Sequence, residues 1–507
     1  MRYLLNSVVG WIFKLRLEDI DHFVNNPFSV QQHVLAHLIE KGVHSHFGKF
    51  HDFKSIKNYE DFRRKVPIRD YSDLSPFIER ILKGEEDVLW PGKIKWFAKS
   101  SGTTSSRSKF IPVSQEALEE CHFKAGKDMY ALYYDMFDDA HLAAGKSLVL
   151  GGSHEINQLG SESYCGDLSA VLLQNLPFWA QLKRSPDLST ALMENWEEKI
   201  EVMAKETLKE NITSIVGVPT WTIVLIQRLF ELTGKDNLAE IWPDLELYIH
   251  GGVGFNPYRN LFSNMIRKGK MRYMETYNAS EGFFGIQNDL GASNFLLMLD
   301  YGIFYEFQPT DIPEAEAIPL EEVKTGINYA MIISTNAGLW RYKIGDTVTF
   351  DSLNPYKIRI TGRTKQFINA FGEELIVENA DRSIEKLSKE TGIHIYDYTA
   401  APVFFTNNKK GSHEWVIETD RPNSNQQVFA ERLDCELKNH NSDYAAKRAG
   451  DMALHLPRVH LVSKGTFYQW MKLKDKLGGQ NKVPRLSNNR EYIDDILECI
   501  DQKKIHA

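Results

Sequence analysis

Short apolar runs alternate with longer stretches of helical periodicity through the middle of the chain. Runs that are apolar or alternating, and that are bounded by Gly, Pro or polar clusters, predict strands. They lie at 94–98, 110–113, 147–150, 214–219, 245–250 and 271–277, and two further runs at 302–309 and 328–335 predict hairpin strands. The intervening stretches predict helices of about 12 to 20 residues. Strands that alternate with helices in this way imply crossover units and largely parallel sheets.

The two ends of the chain have different patterns. Residues 1 to about 92 are mainly helical in pattern, with no residues that indicate chemistry. The composition shifts near 356–363, and a predicted helix at 379–391 follows. We therefore predict an N-terminal domain at 1–361 and a C-terminal domain at 362–507, which is within the usual size range of domains.

Composition narrows the possible classes of function. Hydrophobic residues make up 42% of the 507 positions and charged residues 25%, which is ordinary for a globular protein with a substantial core. The formal net charge of −8 argues against nucleic acid as a partner, because binding to phosphate backbones needs a basic face.

Cysteine spacing and the absence of targeting patterns indicate the compartment. The four cysteines are widely spaced and form no C-x-x-C pair, which favours a reducing compartment and no zinc site. We find no signal-peptide pattern and no apolar stretch near the roughly 18 residues that a membrane span needs. A soluble cytoplasmic protein with no membrane partner is expected.

A hydroxyl-rich loop follows the first predicted strand. Six Ser or Thr residues surround one glycine in residues 100–106, and Arg107 and Lys109 follow. Hydroxyl donors, free backbone N–H groups and two cations suit a polyphosphate. The alternative is a flexible surface turn, which the loop alone does not exclude.

A second motif, Tyr277-Asn278-Ala279-Ser280-Glu281, ends a predicted strand. The carboxyl ends of strands are where open α/β sheets bind ligands. There Tyr277 could stack on a base, Ser280 could donate to a phosphate, and Glu281 could bind a hard cation. The alternative is a strand that ends in an ordinary surface glutamate.

The third motif, Gly338-Leu339-Trp340-Arg341-Tyr342-Lys343-Ile344-Gly345-Asp346, is more specific. Its last glycine lets the backbone approach a ligand, and the carboxylate of Asp346 could accept both hydroxyls of a ribose. The alternative is an aspartate that caps a turn before a strand at 347–350.

The fourth motif runs from Gly362-Arg363-Thr364-Lys365-Gln366 to Gly372-Glu373-Glu374, where the two predicted domains meet. Glycines and charged residues at a domain junction are what a hinge needs. Lys365 and Gln366 are the hinge candidates, and an ordinary polar linker is the alternative.

The order of these four motifs resembles that of the adenylate-forming superfamily, which includes acyl-CoA synthetases and luciferases. Ser100-Ser101-Gly102-Thr103-Thr104, the Tyr277–Glu281 motif and the Trp340–Asp346 motif look most like those of the auxin-responsive acyl acid–amido synthetase family, known from plants and with bacterial relatives. The resemblance runs from about Trp90 to Arg485. It departs from the superfamily pattern at Ser106-Arg107, where Gly then Lys is common.

The resemblance implies a fold and a reaction. The fold is α/β, with a large N-terminal domain of mostly parallel sheets flanked by helices, a β-barrel-like part, and a smaller α+β C-terminal domain that moves as a lid. The reaction converts a carboxylic acid and ATP to an acyl-adenylate and pyrophosphate, and an amine then displaces AMP. A thiol acceptor, as in acyl-CoA synthetases, and a nucleotide-binding protein without turnover remain alternatives, and the oligomeric state stays open.

The resemblance also implies roles for single residues. Three are expected to be catalytic: Lys482 in a Gly-rich C-terminal loop, Lys109, and Glu281, which would also bind Mg²⁺. The residues expected to bind the nucleotide are Ser100, Ser101, Gly102, Thr103, Thr104, Gly251, Gly252, Tyr277, Ser280, Asp346 and Arg363.

Overall fold

The structure is a computed structural model of the chain. It describes residues 15–100, 109–151, 157–158, 163–193, 195–267, 269, 271–312, 315–363, 366–406, 410–474 and 483–502. Among these residues, no helix is both long and apolar enough to cross a bilayer.

The helices lie mainly at the two ends of the chain and between the parallel strands. They are α1 (Leu17–Asn25), α2 (Pro27–Gly42), α3 (His46–Phe50), α4 (Tyr59–Lys65), α5 (Tyr71–Leu82), α6 (Lys124–Met136), α7 (Leu168–Gln174), α8 (Phe178–Leu182), α9 (Leu188–Ala191), α10 (Trp196–Thr207), α11 (Pro219–Thr233), α12 (Arg259–Met265), α13 (Val377–Thr391), α14 (Gln426–His440), α15 (Ser442–Arg448), α16 (Thr466–Leu473) and α17 (Glu491–Asp501). A π-helix, Ala117–Phe123, leads directly into α6.

The strands before residue 364 are β1 (Trp96–Ser100), β2 (Lys109–Val113), β3 (Lys146–Val149), β4 (Asn157–Gln158), β5 (Tyr164–Gly166), β6 (Arg184–Ser185), β7 (Ile212–Val216), β8 (Leu247–Gly251), β9 (Arg272–Ala279), β10 (Gly282–Ile286), β11 (Phe295–Leu297), β12 (Ile303–Pro309), β13 (Ile318–Pro319), β14 (Asn328–Thr335), β15 (Tyr342–Leu353) and β16 (Tyr356–Arg363). Later strands are β17 (Phe367–Ile368), β18 (Leu375–Ile376), β19 (Ile395–Val403), β20 (Ser412–Thr419) and β21 (Arg458–Ser463).

One twelve-stranded sheet organises the larger part of the chain, in the order β13-β12-β14-β15-β16-β11-β10-β9-β8-β7-β3-β6. Strands β9, β8, β7, β3 and β6 pair in parallel. From β9 onward through β10 to β13 every pairing is antiparallel. The carboxyl ends of β7, β8 and β9 therefore meet at one edge, where β9 also turns into the antiparallel half.

Local sequence signals explain where the crossover helix between β7 and β8 begins and ends. Pro219 stands at the first position of α11, where its missing N–H costs no hydrogen bond. Gly234 follows the last turn with φ +69°, a conformation that glycine adopts without a steric penalty. The predicted helix therefore forms as expected.

The C-terminal part packs its own sheets against helices. Strands β19, β20 and β21 form a three-stranded sheet, and β17 pairs with β18. This part also contacts the carboxyl edge of the large sheet: the Thr220 hydroxyl donates to the carbonyl of Phe371 at 3.0 Å, and Lys447 Nζ lies 4.5 Å from the centre of the Trp221 ring. The α/β fold with a large N-terminal and a smaller C-terminal domain is confirmed. Within the main sheet, the parallel pairing is confined to one half.

Ser114 supports the start of the predicted helix after β2. Its buried Oγ accepts a hydrogen bond from the amide of Ala117 at 2.9 Å and donates to the carbonyl of Asn336 at 2.6 Å. We expect Ser114→Ala to lower the free energy of unfolding by about 1–2 kcal/mol, because the Ala117 amide loses its capping acceptor and the buried Asn336 carbonyl loses its donor. Urea unfolding measures this, with Ser75→Ala, which removes a surface hydroxyl bonded only to Ser72 O, as the control. Equal midpoints for both variants would exclude the capping role.

Candidate active site

The turn between β9 and β10 places three predicted residues at the carboxyl edge. Tyr277 lies near the end of β9, and Ser280 and Glu281 form the connection to β10, since Ala279 pairs with Gly282. The predicted strand therefore ends at the sheet edge as expected. Because the turn is only two residues long, Glu281 stays near the end of β9 that carries Tyr277.

Asp346 lies inside strand β15, so the alternative of a cap before a strand at 347–350 is wrong. The pairing of β14 with β15 is irregular between Lys343 and Thr347, and Gly345 has φ +98°. Such an irregularity re-aims a side chain, and glycine supplies the left-handed backbone that it needs here. The Asp346 carboxylate is buried and faces Tyr277.

Two side chains converge on the two oxygens of Asp346. Tyr277 Oη donates to Oδ2 at 2.7 Å, and Arg363 Nε donates to Oδ1 at 2.7 Å. Burial, followed by the Asp346 charge, raises the pKa of Tyr277 well above its ordinary value, so this hydroxyl keeps its proton and acts as a donor. The predicted stacking residue thus also contacts the predicted ribose acceptor.

Arg363 reaches Asp346 through strand pairing. β15 and β16 form an antiparallel hairpin in which Asp346 lies opposite Arg363. Burial acts to lower the pKa of Arg363, but the carboxylates of Asp346 and Glu374 outweigh it, and the pKa is raised. The guanidinium is therefore a permanent positive charge beside Asp346.

A second chain of polar groups lies beside the first. Lys109 Nζ donates to Tyr342 Oη at 3.4 Å, and Tyr342 Oη donates to Glu281 Oε1 at 3.4 Å. Burial raises the pKa of Glu281, and the positive charges of Lys109 and Arg363 offset this only in part. Lys109 and Glu281, which are 172 positions apart in sequence, thus contact the same hydroxyl.

Tyr342 was not assigned a role from the sequence. Its position in the third motif, four residues before Asp346, was a signal that the sequence offered. The neighbouring residues of that motif are structural instead. The buried Arg341 forms an ion pair with Glu306 at 2.7 Å, and Trp340 Nε1 donates to Leu89 O at 2.9 Å.

The predicted glycines at the end of β8 adjoin the site. A Cβ on Gly251 would lie 2.7 Å from Thr276 Oγ1 and 2.8 Å from its carbonyl oxygen, so a side chain does not fit. Gly252 has φ +80°, and its carbonyl accepts from Asn369 Nδ2 at 3.0 Å. These glycines allow close packing of β8 on β9 and of the fourth motif, through Asn369, on this edge.

Several predicted residues lie outside the described residues: Ser101, Gly102, Thr103, Thr104, Lys365 and Lys482, as does the side chain of Ser100. The backbone of Ser100 pairs with Lys109 in the antiparallel strands β1 and β2, so both ends of the hydroxyl-rich loop are fixed. Lys109 begins β2 directly after that loop. The paired ends of β1 and β2, where Ser100 lies opposite Lys109, therefore lie beside the Tyr342 and Glu281 groups.

The donor set decides what kind of metal site is compatible with these residues. Among the described residues, no group of three or more His, Cys, Asp or Glu side chains is placed to hold a metal ion. Magnesium in nucleotide sites takes one or two carboxylates and completes its shell with phosphates and water. A single partly buried carboxylate, Glu281, fits that arrangement and does not fit a metal held by protein alone.

Comparison with known proteins agrees with this geometry. The GH3 family N-terminal domain matches residues 16–271, about half of the chain, the GH3 family central domain matches 296–363, and the GH3 family C-terminal domain matches 378–491. Indole-3-acetic acid-amido synthetase GH3.4 of Arabidopsis thaliana is 23% identical, covering 97% of this chain and 94% of that protein. The 4-substituted benzoates-glutamate ligase GH3.12 of the same plant is 21% identical, covering 97% and 98%.

Solved structures show the same fold. AtGH3.15 acyl acid amido synthetase in complex with 2,4-DB aligns with a TM-score of 0.63 at 18% identity, over 96% of both chains. A 2-hydroxyisobutyryl-CoA ligase aligns with a TM-score of 0.51 at 13% identity, over 93% of this chain and 91% of that one. With domain matches that run in order from residue 16 to residue 491, this chain belongs to the GH3 family.

Proposed function

We propose that this protein uses ATP to convert a carboxylic acid to an acyl-adenylate, and then transfers the acyl group to an amine such as an amino acid. The observation that carries the proposal is the convergence of Tyr277, Asp346 and Arg363 beside Glu281 and Lys109 at one sheet edge. Parts of four separate sequence motifs contribute to it. Membership of the GH3 family supports the same reaction.

In this proposal the Asp346 group binds the nucleoside. A carboxylate held by Tyr277 and Arg363 keeps free lone pairs on both oxygens, so it can accept from two ribose hydroxyls. Tyr277 offers a ring for the base. Arg363 is a fixed cation close enough to balance the charge of the bound phosphates.

The Lys109 and Glu281 groups would act on the phosphates. Attack of a carboxylate on the α-phosphate brings two anions together, so catalysis depends on placing positive charge around the transferred group. Lys109 supplies one cation, Arg363 supplies another, and the loop hydroxyls Ser100, Ser101, Thr103 and Thr104 supply donors. Glu281 would hold Mg²⁺, whose charge would neutralise the phosphate oxygens when it is bound.

The names of the relatives support an amine acceptor. GH3.4 is named an amido synthetase and GH3.12 a glutamate ligase, and both align with nearly the whole chain. We therefore propose an amino acid as the acceptor, with a thiol such as CoA as the competing outcome. The acid itself is left to experiment.

A substrate panel tests the proposal directly. Purified protein with ATP and Mg²⁺ is offered a set of carboxylic acids, and release of pyrophosphate is measured with amino acids, with CoA and with neither. We expect acid-dependent release that rises with an amino acid and yields AMP and an amide. If only CoA increases the release of pyrophosphate, the acceptor is a thiol and not an amine. If the protein binds ATP but shows no acid-dependent exchange of pyrophosphate, the proposed enzymatic activity is excluded.

Asp346→Ala is expected to weaken ATP binding by about 10- to 100-fold. Two ribose hydroxyls lose a charged acceptor, and hydrogen bonds to charged groups are worth roughly 1.5–3 kcal/mol. Calorimetric titration with ATP measures the change. Asp351→Ala is the matched control, because Asp351 forms the same kind of cross-strand pair with Arg359 at 2.6 Å in the same hairpin. If both variants bind ATP like the parent, Asp346 is not part of the site.

The contacts of Gln366 favour a hinge just before it. Its Oε1 accepts from the Arg485 amide at 2.7 Å, and the Arg485 guanidinium donates to both oxygens of Asp381 at 2.7 Å. Gln366 is thus tied to the C-terminal part and would rotate with it. We propose that the lid domain after about residue 361 rotates about the positions up to Lys365, and that rotation breaks the contacts of Phe371 with Thr220 and of Lys447 with Trp221.

A further inference from the structure

The hydroxyl of Tyr342 lies between two side chains of opposite charge. A lysine ammonium can only donate hydrogen bonds and a carboxylate can only accept them, whereas a phenol does both. The chain from Lys109 Nζ through Tyr342 Oη to Glu281 Oε1 therefore has a single direction, with 3.4 Å for each step. Both charged residues belong to the proposed phosphate and metal site.

The position of Tyr342 is fixed by its surroundings. The residue is fully buried at the start of β15, where it pairs with Ile333 of β14. On the other side Arg69 N donates to Arg341 O at 3.0 Å, and Lys343 N donates to Arg69 O at 2.9 Å. Backbone hydrogen bonds thus hold both sides of this strand, and the hydroxyl cannot shift far.

Lys109 is held by a second tyrosine as well. Its Nζ lies 5.6 Å from the centre of the Tyr71 ring, and the Tyr71 hydroxyl accepts from the amide of Phe110 at 2.8 Å. An ammonium over an aromatic face is attracted to it without giving up its charge. Tyr71 and Tyr342 together therefore fix the position of the Lys109 ammonium.

We infer that Tyr342 is a positioning residue that spaces Lys109 from Glu281 and keeps their charges separate for the phosphates and the cation of a metal nucleotide. This inference rests on the proposed function. A direct pair between ammonium and carboxylate would satisfy both groups and would compete with a bound metal nucleotide for each of them. The phenol satisfies each group with a neutral partner, which a metal or a phosphate displaces at lower cost.

Tyr342→Phe tests the inference, because it removes one oxygen and keeps the buried ring. ATP binding is measured by calorimetry in excess Mg²⁺ and in EDTA, for the parent and the variant. We expect the ratio of the two affinities, which reports the metal, to fall by about 10-fold in the variant, since a charge-assisted hydrogen bond is lost and the two charges approach. Tyr329→Phe is the control, a buried strand tyrosine whose hydroxyl accepts from the Lys324 amide at 3.0 Å.

The outcomes separate the inference from the proposed function. A parent protein that binds ATP with the same affinity in Mg²⁺ and EDTA, or not at all, contradicts the proposed function. A parent with clear metal dependence and a Tyr342→Phe variant with the same ratio contradicts the inference alone. The double variant Tyr342→Phe with Lys109→Met is expected to be less impaired than the sum of the single changes, because without the ammonium no direct pair forms. Additive losses would overturn the spacing role.

Discussion

Replacing Glu281 by Gln is expected to leave the protein folded and to lower magnesium-dependent formation of acyl-adenylate by about 10³-fold. The amide keeps the shape of the carboxylate and its hydrogen bond with Tyr342, but it loses the charge that a hard cation requires. Pyrophosphate exchange into ATP, titrated with Mg²⁺, measures the loss. Binding of ATP in EDTA should be little changed, because the nucleoside contacts at Asp346 remain.

A matched variant separates this effect from general damage. Glu246 is a buried carboxylate just before β8, at the opposite end of the sheet, where it accepts from the His141 amide at 2.8 Å. Glu246→Gln makes the same chemical change at a carboxylate that is more deeply buried, so it reports the cost of losing a buried charge away from the site. Full exchange activity of Glu281→Gln at limiting Mg²⁺ would show that Glu281 is structural.

The strands and the edge that carries the site could be predicted from sequence. β7, β8 and β9 are short apolar runs bounded by Gly or Pro, and they pair in parallel as predicted, which brings their carboxyl ends to the edge where such sheets bind ligands. Glu281 was placed correctly for the same reason, since it follows such a strand directly. The local sequence pattern was sufficient to locate a residue when its location depended only on its position along one strand.

Strand register could not be read from pattern alone. Arg363 lies in the stretch where the composition shifts, and the local pattern indicates only a hinge or a linker; its predicted role in nucleotide binding came from the family resemblance. It contacts Asp346 because β15 and β16 pair through two irregularities, which decide the opposing residues. The number of residues that an irregularity absorbs depends on twist and packing across the whole sheet, which short-range sequence does not encode.

The third motif shows the same limit within nine residues. Arg341 and Tyr342 are adjacent, yet Arg341 pairs with Glu306 in the core while Tyr342 contacts Lys109 and Glu281. Arg341 precedes β15 with a left-handed backbone (φ +44°), whereas Tyr342 begins the strand, so the two adjacent side chains take different directions. Deciding which of the two side chains belongs to the core and which to the site required knowing the residues that pack against each of them.

Lys482→Ala is expected to slow formation of the acyl-adenylate by about 10²–10³-fold and to leave acyl transfer from supplied acyl-adenylate largely intact. The first step develops negative charge on the α-phosphate, and removing one positioned donor from such a transition state costs about this much. The second step consumes the adenylate and needs no such cation. The residue lies outside the described residues, so its role is inferred from the family resemblance.

The contacts of the residues that follow Lys482 support the proposal that rotation of the C-terminal part carries this lysine. Pro484 O accepts from the Thr399 hydroxyl at 2.6 Å, and Arg485 O accepts from the Ala400 amide at 2.9 Å, so this segment is fixed along β19. Arg485 also reaches Gln366, which connects the base of the lysine loop to the proposed hinge. A rotation about positions before Gln366 would therefore move β19 together with Pro484 and Arg485.

Two further variants complete the test. Lys474→Ala changes the lysine on the other side of the loop, which pairs with Asp495 at 2.7 Å at the surface, and should leave both half-reactions unchanged. Gln366→Pro restricts φ to about −65° next to the hinge and removes the acceptor of the Arg485 amide, so it should spare one half-reaction and lower the other by orders of magnitude. Separate assays of adenylation and of acyl transfer measure all three proteins. Equal loss of both half-reactions in Lys482→Ala and Gln366→Pro would contradict rotation of the C-terminal domain, because a moving lysine must serve one step and leave the path of the other.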